Sequence, residues 1–522
     1  MPVIEDFARR EQLKGNLDLS YSFSLRPIVN TNITHFGSAS IDSIPWSLPI
    51  LSEKRDWLKL SLLPIQSRYI YNSHHPYGSN DGAMIRARGV QSLLSGGLDG
   101  KIGPLSFQFR PEWVIAQNKN YEGFPETYSP NVWRIYYSSI LNRIDLPEQM
   151  GKSSYYSLFP GQTGLFLDAG FNRIGISTEN IWLGPGKMNS LVFSSNAAGM
   201  LHYKITSKRP VNIKVGHIEY LIMVGNPKST GLAPIRHDST NLDFFSPQRS
   251  DKRYLTGMMF AYSPSFVNGL SFGIVRTVQN YASDLQKNYF SSFTGFFRND
   301  GIYDRADQLA SLFARWVFTD AQAELYFELA RNDASYNIRD LLLGPEHSRA
   351  YVFGFSKLFL YNNHTYQFSF ENTHLERSGM YYFRAEPIYY LNAGLRHGHT
   401  HNGEIIGSGI GPGSNFNYIS LKKTNNLNSF GVVFEKLDHN KDIYKILFPN
   451  SSVSRNWIET SVGFEGSYLW KNILMESKLL VNHSKNYQWQ QNQFPDIALN
   501  GKSENRNNVN FSLNAVYVFT QK

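Results

Sequence analysis

Three short stretches of the sequence contain residues whose types could perform chemistry, and the first is ISTENIWLGPGKMNS at residues 176–190. It places Trp182 and Lys187 on either side of a Gly-Pro-Gly bend at 184–186. A Walker phosphate loop needs four residues between its two glycines, and then Lys followed by Ser or Thr. Here the spacing is wrong and Met188 follows the lysine. The sequence therefore indicates an irregular loop rather than a phosphate cradle.

The second stretch, RHGHTHNGE, repeats a histidine at every second position, with an acidic residue beyond. The residues are His397, His399, His401 and Glu404. On an extended strand the three imidazoles would share one face, which is a feasible metal cluster. The neighbouring glycines argue against a fixed strand, and a polar loop also houses histidines. We therefore predict no metal site and no cofactor.

The third stretch, GPEHSRAY at residues 344–351, offers Glu346, His347, Ser348 and Arg349. A Ser-His-acid triad needs side chains that converge on one another. Adjacent residues on an extended chain point apart, so these four cannot form a triad by themselves. We expect no catalytic residue in this sequence and no enzymatic activity.

The elements that would position these residues alternate apolar and polar side chains. The alternation is clearest at residues 17–25 and recurs at 105–110, 366–371 and 509–519. Side chains of a strand point to opposite faces in turn, so a period of two predicts strands. We count about eighteen such segments, many about 9 to 11 residues long, the length that a tilted strand needs to cross a bilayer.

The lengths of the connections favour a membrane barrel over a β-sandwich. From residue 310 onward, short turns alternate with long connections. The short turns are 319–322, 361–364, 424–427 and 471–472, and the long connections are 332–349, 375–415, 438–456 and 483–508. Short periplasmic turns and long outer loops are typical of an outer-membrane barrel. We therefore predict an all-β transmembrane barrel of about eighteen antiparallel strands, with the C-terminus on the periplasmic side.

Composition agrees with this class. Aromatic residues make up 15% of the chain and charged residues only 18%, against about 25% charged in soluble domains. The net charge of +9 is spread along the chain, which suits an acidic polysaccharide or lipid phosphates better than nucleic acid. The chain has no cysteine, which excludes disulfides and thiolate chemistry.

No run of residues is apolar enough for a helical membrane span. The N-terminus lacks a basic region followed by an apolar one, so we expect that an export signal has already been removed. Pro2, Ile4, Phe7 and Ala8, followed by Gly15, predict one short helix. We therefore divide the chain into a periplasmic helix at 1–16 and a barrel with its plug at 17–522.

Three charged side chains test the orientation of the predicted strands. Glu324 and Glu328 lie on the polar face of residues 323–331, where a lumen could solvate them. Lys357 lies on the apolar face of its strand, so we place it at the membrane rim, where its stem can snorkel. We expect Arg349 to anchor its loop by pairing with a lumen carboxylate.

Four segments resemble the Wzi capsule-assembly proteins of the Gram-negative outer membrane, in the form found in Bacteroidota. They are NRIDLPEQMG at 142–151, STENIWLGPGKMNSLVFSSNAAG at 177–199, PEHSRAY at 345–351 and HTHNGEIIGSGIGPGSN at 399–415. The resemblance implies an eighteen-stranded barrel that retains capsular polysaccharide as a lectin and not as an enzyme. It also implies that long extracellular loops fold into the barrel and plug it. The sequence departs from that family at Leu183, where members often have a second Trp, and in having one N-terminal helix instead of a bundle.

A diffusion channel for small solutes and an outer-membrane hydrolase are the alternatives to a polysaccharide-binding barrel. The expected partners are an acidic capsular or surface polysaccharide, outer-membrane lipid and lipopolysaccharide, and a periplasmic or lipoprotein partner. The residues predicted to bind polysaccharide or to form the plug are Trp182, Gly184, Pro185, Gly186, Lys187, Glu346, His347, Arg349, His399 and His401.

Overall fold

The predicted barrel of antiparallel strands is confirmed by the computed structural model. The structure describes residues 2–27, 50–55, 58–285, 306–332, 344, 346–449, 456–489 and 505–519. Within them, 18 strands close one barrel. Each strand pairs antiparallel with its neighbours in the sequence, and the last strand pairs with the first, with Phe511 opposite Tyr71. Closure leaves no free sheet edge, as a barrel surrounded by lipid requires.

The barrel strands are numbered β1 to β18 in chain order, and two of them are interrupted. They are Leu58–Asn72, Gly89–Ile102, Leu105–Phe109 with Glu112–Ala116, Tyr155–Phe159 with Gly164–Ala169, Asn172–Ser177, His202–Ser207, Gly216–Gly225, Arg253–Pro264, Leu270–Tyr281, Asp307–Phe318, Ala323–Asn332, Arg349–Tyr361, His364–His374, Asn415–Asn425, Asn428–His439, Trp457–Trp470, Ile473–Lys485 and Arg506–Tyr517. The helices α1 to α4 are Pro2–Leu13, Pro130–Ser139, Asp238–Phe244 and Lys441–Leu447. No helix in the described ranges is long and apolar enough to cross a membrane.

Alternate side chains of each strand face the lumen and the outside. In β16, Val462 and Phe464 point outward and are 58% and 51% exposed, whereas Glu459 and Ser461 are buried inside. Outward-facing apolar residues recur around the barrel, and they form the surface that lipid would cover. The period of two in the sequence therefore arises because successive side chains of a strand face lipid and lumen in turn.

The connections lie on two distinct sides of the barrel. The predicted short turns at 319–322, 361–364, 424–427 and 471–472 are confirmed and share one mouth, which we call the short-turn mouth. Strand β18 also ends there, as predicted. The described parts of the long connections gather at the opposite end, the long-loop mouth, and fold back into the lumen. Strands β1 to β9, whose order the sequence leaves open, follow the same alternation.

The prediction of a barrel strand at residues 17–25 is wrong. Only Leu25–Arg26 is a strand, and it pairs inside the lumen with Trp182–Leu183. Phe23 has a positive φ of 55°, which breaks the extended run. Ser22 and Ser24 are as buried as Phe23, because this segment packs on both sides within the barrel. Alternation of side-chain types therefore does not distinguish a lipid-facing strand from a lumenal segment.

The predicted N-terminal helix is confirmed as α1, and it lies inside the short-turn mouth. Its Val3 and Phe7 form a buried apolar cluster with Leu427, Leu474 and Val516, which stand at the short-turn ends of their strands. The apolar face of a helix this short is stabilised mainly by such packing. The helix therefore fills the lumen from the side opposite the long loops.

The long loops form a plug with an apolar core at the other end of the lumen. This long-loop plug includes Trp133 and Tyr137 of α2, Leu183, Ile405 and Tyr444 of α4, all buried in one cluster. Contacts between loops that are far apart in the sequence make the plug a single packed unit. Burial of this apolar area supplies its stability.

The lumenal carboxylates of β11 are buried instead of solvated. Glu324 and Glu328 point inward as predicted, but the plug and α1 cover them, and their exposure is 0%. The expectation that water solvates them is therefore wrong. The prediction for Lys357 is confirmed, because its strand pairs it with Ala323 beside a short turn, and its Nζ donates a hydrogen bond to Ala321 O at 3.2 Å.

Candidate functional site

Trp182 lies in the long-loop plug beside Arg26. The two residues are paired in the register of their short strands. The guanidinium carbon of Arg26 stands 4.4 Å from the centre of the Trp182 ring, in a cation–π contact. Arg26 Nη1 also pairs with Glu5 Oε1 at 2.7 Å. One arginine therefore joins the loop, the N-terminal segment and α1.

The Gly-Pro-Gly bend is held by arginines through its three carbonyl groups. Arg26 Nη2 donates to Gly184 O at 2.8 Å and to Gly186 O at 2.6 Å. Arg9 Nη2 of α1 donates to Pro185 O at 2.9 Å. Buried carbonyls need such partners, and charged donors make the stronger hydrogen bonds.

The two glycines of the bend leave no room for a larger residue. Gly184 has a φ of +133°, and a Cβ there would stand 2.9 Å from Glu328 Oε2 and 3.1 Å from Ser190 Oγ. A Cβ at Gly186 would overlap the carbonyl oxygen of Asn189. Gly184 is therefore required by the close approach of the loop to the barrel wall, and Gly186 by the close approach of the loop to its own backbone.

The loop does cradle an anion, and that anion is a carboxylate of the barrel wall. Glu371 of β13 accepts N–H groups from Lys187 at 2.7 Å, Met188 at 3.0 Å and Asn189 at 2.8 Å. It also accepts the hydroxyl of Tyr326 at 2.8 Å. Successive backbone N–H groups form a nest of this kind around an anion. Because Glu371 occupies the nest, the loop is fastened to the wall.

The side chain of Lys187 points toward α1. Its Nζ stands 3.0 Å from Asp6 Oδ1 and 3.9 Å from Glu324 Oε1. Burial alone would raise the pKa of Asp6, but the charges of Lys187 and Lys422 outweigh it and hold that pKa well below its usual value. In this arrangement the charge of Lys187 is compensated within the barrel.

A buried group of charges anchors α1 to the barrel wall. Arg315 of β10 donates to Glu324 Oε2 with Nε at 2.8 Å, and Arg9 Nη2 stands 3.3 Å from the same oxygen. Arg315 Nη1 also donates to Gln12 Oε1 of α1 at 2.7 Å. Breaking a buried, hydrogen-bonded charge group leaves an uncompensated charge, so this contact fixes the helix firmly.

The histidines at 397, 399 and 401 are buried and have different partners. His397 Nδ1 lies 3.0 Å from the hydroxyl of Tyr281. His399 Nε2 lies 2.8 Å from Val192 O, which links this loop to the loop that carries Trp182. The imidazoles serve as hydrogen-bonding groups between loops of the plug.

His401 and Glu404 are also engaged with other residues. His401 Nδ1 accepts the N–H of Lys228 at 2.9 Å, and Glu404 Oε2 pairs with Arg86 Nε at 2.9 Å. Within the part of the chain that the structure describes, no three His, Asp or Glu side chains are arranged to hold a metal ion.

Glu346, His347 and Arg349 lie away from Trp182, where their loop enters β12. Arg349 forms an ion pair with Glu346 of the same loop, so the prediction that it pairs with a lumen carboxylate is wrong. Arg349 can pair with Glu346, three residues away, without the entropic cost of ordering another loop. His347 Nδ1 stands 3.3 Å from Glu386 Oε1, and Arg349 Nη1 lies 3.4 Å from His374 Nδ1.

Three aromatic residues between β13 and β14 form an exposed aromatic cluster at the long-loop mouth: Tyr381, Tyr382 and Phe383. The rings of Tyr381 and Tyr382 are 4.0 Å apart between centroids. Tyr382 is 75% exposed and Phe383 is 89% exposed. Arg377 and Lys445 stand over the Tyr381 ring, at 4.5 and 5.5 Å from its centroid. Apolar faces are thus presented to solvent beside cations.

The structure brings some of the predicted site residues together and separates others. Trp182, the bend at 184–186 and Lys187 form one buried unit, and His399 adjoins it through Val192. Sequence analysis missed Arg26 and Glu371, which hold that unit. Glu371 alternates with apolar neighbours in its strand. This alternation predicts that the side chain faces the lumen, but it does not predict which loop the carboxylate binds.

Solved structures show what fold this chain is similar to. Wzi of Escherichia coli, described as an outer-membrane protein involved in group 1 capsule assembly and a carbohydrate-binding β-barrel, matches with a TM-score of 0.62 at 10% identity, over 99% of this chain and 98% of that one. OccAB1 of Acinetobacter baumannii matches with a TM-score of 0.42 at 10% identity, over 87% and 96%. OprD of Pseudomonas aeruginosa matches with a TM-score of 0.38 at 9% identity, over 87% and 92%.

The sequence was also compared with curated proteins and with protein families. No curated protein matches this chain. Residues 166–510, about two thirds of the chain, match the family described as capsule assembly protein Wzi. The matched range includes the Trp182 loop, Glu371, the buried histidines and the exposed aromatic cluster. The chain therefore belongs to the Wzi family of capsule assembly proteins.

Proposed function

We propose that this protein is an outer-membrane barrel that binds capsular or other surface polysaccharide at the cell surface, as a lectin and without catalysis. The family and the similarity to a carbohydrate-binding barrel support this proposal. The outward apolar residues would contact outer-membrane lipid, and the long-loop mouth would face the outside. Other proteins would export the polysaccharide, and this barrel would then retain it.

The observation that carries the proposal is the exposed aromatic cluster. Sugars bind to proteins by stacking their C–H faces on aromatic rings, and acidic sugars also pair with arginine and lysine. Tyr382 and Phe383 present such rings to solvent, with Arg377 and Lys445 beside Tyr381. The ring faces fit the sugar rings of a polysaccharide, and the cations, which also pair with Asp442 and Glu376, lie beside them.

A capsule-retention assay tests the proposal. Deletion of the gene is expected to shift polysaccharide from the cells to the medium without lowering total synthesis. In the complemented strain, the double variant Tyr382→Ala, Phe383→Ala should reduce the cell-bound fraction. Leu242→Ala is the matched control, because Leu242 is an 87% exposed apolar side chain on α3. Unchanged retention in the deletion strain would defeat the proposal.

The long-loop plug supports binding over diffusion of solutes, because its packed apolar core lies across one mouth of the barrel. Helix α1 lies in part of the other mouth. Purified protein in planar bilayers is therefore expected to conduct little current. Steady conductance in the wild-type protein would favour a diffusion channel, and time-dependent shortening of a capsular polysaccharide by the purified protein would favour a hydrolase.

A further inference from the structure

A large cavity lies within the barrel between α1 and the wall formed by the first strands. Its volume is about 1390 Å³. Residues of the long-loop plug, including Asn180 and Met188, line its inner end. Lys208 and Arg209, which belong to the connection between β6 and β7 at the short-turn mouth, line its other end. The cavity therefore reaches the short-turn mouth, and the plug lies between it and the long-loop mouth.

Two lysines that line the cavity face each other across a strand pair. Lys59 of β1 is directly opposite Lys101 of β2 in the register. Both line the cavity, and both side chains are exposed. On its other side Lys59 is opposite Glu53 of the strand Ile50–Arg55 in the register. The charges of Asp99 and Asp168 act on Lys59 and Lys101, respectively. The two facing lysines place two positive charges at this end of the cavity.

More positive charge lies on the same side of the cavity. Arg209 is exposed and, among the described residues, forms no ion pair. Arg173 and Lys208 share one carboxylate, that of Asp168, at 2.8 and 3.9 Å. Lys59, Lys101, Arg173, Lys208 and Arg209, which we call the mouth cations, are five positive charges grouped around the carboxylates of Asp99 and Asp168.

The position of the mouth cations determines what can reach them. Their side chains line the lumen, so the barrel wall separates them from lipid headgroups. A ligand must enter from the aqueous space at the short-turn mouth, which is the periplasmic side of an outer-membrane barrel.

The cavity is also large for a single small molecule. Sites for drug-sized ligands measure about 300–1,000 Å³, and this cavity exceeds that range. Its lining mixes the mouth cations with carboxylates such as Asp99 and Glu476 and with the ring of Phe107. Carboxylates accept hydrogen bonds from hydroxyl groups, and aromatic rings stack on sugars. The lining therefore suits several linked sugars that carry negative charge.

We propose that this cavity is a second glycan site, which binds an acidic oligosaccharide segment from the periplasmic side through the mouth cations. The assignment rests on the proposed function, because it gives the same class of ligand a separate place in the protein. The site at the long-loop mouth would hold exported polysaccharide, and the cavity would bind an acidic chain in the periplasm.

Binding of a defined acidic oligosaccharide to the full-length protein in detergent tests the inference. The probe is hexagalacturonate, with maltohexaose as its uncharged counterpart, and the measurement is titration calorimetry. The Tyr382→Ala, Phe383→Ala variant serves as the background, since it lacks the rings of the exposed aromatic cluster. In this background, hexagalacturonate should bind more tightly than maltohexaose and less tightly at high salt.

Variants in the cavity then locate the binding. Lys59→Gln with Lys101→Gln should weaken hexagalacturonate binding about tenfold or more, because charged hydrogen bonds are lost. Lys357→Gln, at the outer rim of the same mouth, should leave it unchanged. The unfolding temperature of the double lysine variant, measured in the same detergent, should stay above the temperature of the titration, so that a loss of binding reports on the lysines and not on unfolding.

The outcomes separate this inference from the proposed function. If hexagalacturonate fails to bind in the background variant, or binds equally well after the lysine substitutions, the cavity site is overturned. Capsule retention by the deletion strain is measured independently and decides the proposed function. If capsule retention depends on the protein but the lysine substitutions do not alter hexagalacturonate binding, the results support a glycan site at the exposed aromatic cluster and none in the cavity.

Discussion

Arg26 stacks on Trp182 with its guanidinium carbon 4.4 Å from the ring centre, and the two residues are partners in a strand pair inside the lumen. The same guanidinium group donates to the carbonyls of Gly184 and Gly186. Burial lowers the pKa of Arg26 to about 10, against the opposing effect of Glu5. The side chain is therefore charged at neutral pH and joins the N-terminal segment to the plug.

Replacement of Arg26 by methionine should loosen the Trp182 loop. The variant keeps an unbranched side chain but leaves two buried carbonyls without their donor. We expect a loss of about 3 kcal/mol in the free energy of unfolding, the order found when buried charged hydrogen bonds are broken. Limited proteolysis should then cut within 178–201, while Arg26→Lys, which keeps the charge, should show an intermediate effect. If Arg26→Met and the wild-type protein resist the protease equally, Arg26 does not hold the Trp182 loop in place.

Replacement of Glu371 by glutamine should detach the same loop from the wall. Glu371 accepts three backbone N–H groups and the Tyr326 hydroxyl, and a neutral amide cannot accept all of them. We expect destabilisation of about 2 to 4 kcal/mol, measured by urea unfolding in detergent. Glu476→Gln is the control, since Glu476 lines the cavity and is partly exposed. A control effect as large as that of Glu371→Gln would show that charge alone is responsible.

Alanine at position 184 should destabilise the protein by steric means alone. The φ of +133° disfavours any residue with a Cβ, and that atom would stand 2.9 Å from a Glu328 oxygen. Strain at such a position costs about 1 to 3 kcal/mol, which should lower the unfolding temperature. Gly379→Ala is the matched control, because a Cβ at Gly379 meets nothing within 4 Å. Equal unfolding temperatures for the two variants would rule out this constraint.

The architecture can be predicted from the sequence where lipid imposes the pattern. Residues 366–371 and 509–517 alternate because one face meets the bilayer and the other the lumen, and both lie in strands, whereas the predicted segment continues two residues beyond the end of β18. Residues 17–25 alternate in the same way but pack inside the barrel, where lipid imposes nothing. The pattern shows where apolar side chains recur, but it does not show whether lipid or the rest of the protein covers them.

The candidate site is less predictable because its contacts are distant in the sequence. The loop at 184–189 is held by Arg26 and Glu371, about 160 and 180 residues away. The spacing of the glycines excludes a Walker loop but does not reveal that a wall carboxylate fills the nest. The exposure of Tyr382 and Phe383 likewise depends on how the long loops pack.

The buried histidines of the plug should make stability depend on pH. Burial, with a further contribution from the charge of Arg253, lowers the pKa of His397 to about 3, of His399 to about 4 and of His401 to about 3. In the unfolded chain the pKa of histidine is about 6.5. The folded protein therefore favours the neutral imidazoles. Their contribution to stability is complete above about pH 6.5 and is lost as the pH falls toward 3 to 4.

The unfolding temperature in detergent should therefore fall between pH 7 and pH 4, and His399 should account for part of the fall. His399→Gln keeps a donor for Val192 O but cannot be protonated in this range. We expect this variant to be less stable than wild type at pH 7, because it packs less well against Tyr390. We also expect its unfolding temperature to change less with pH. His364→Gln, at an exposed position in a short turn, should keep the wild-type pH dependence. A His399→Gln profile parallel to that of wild type would mean that protonation of His399 does not contribute to the acid sensitivity of the fold.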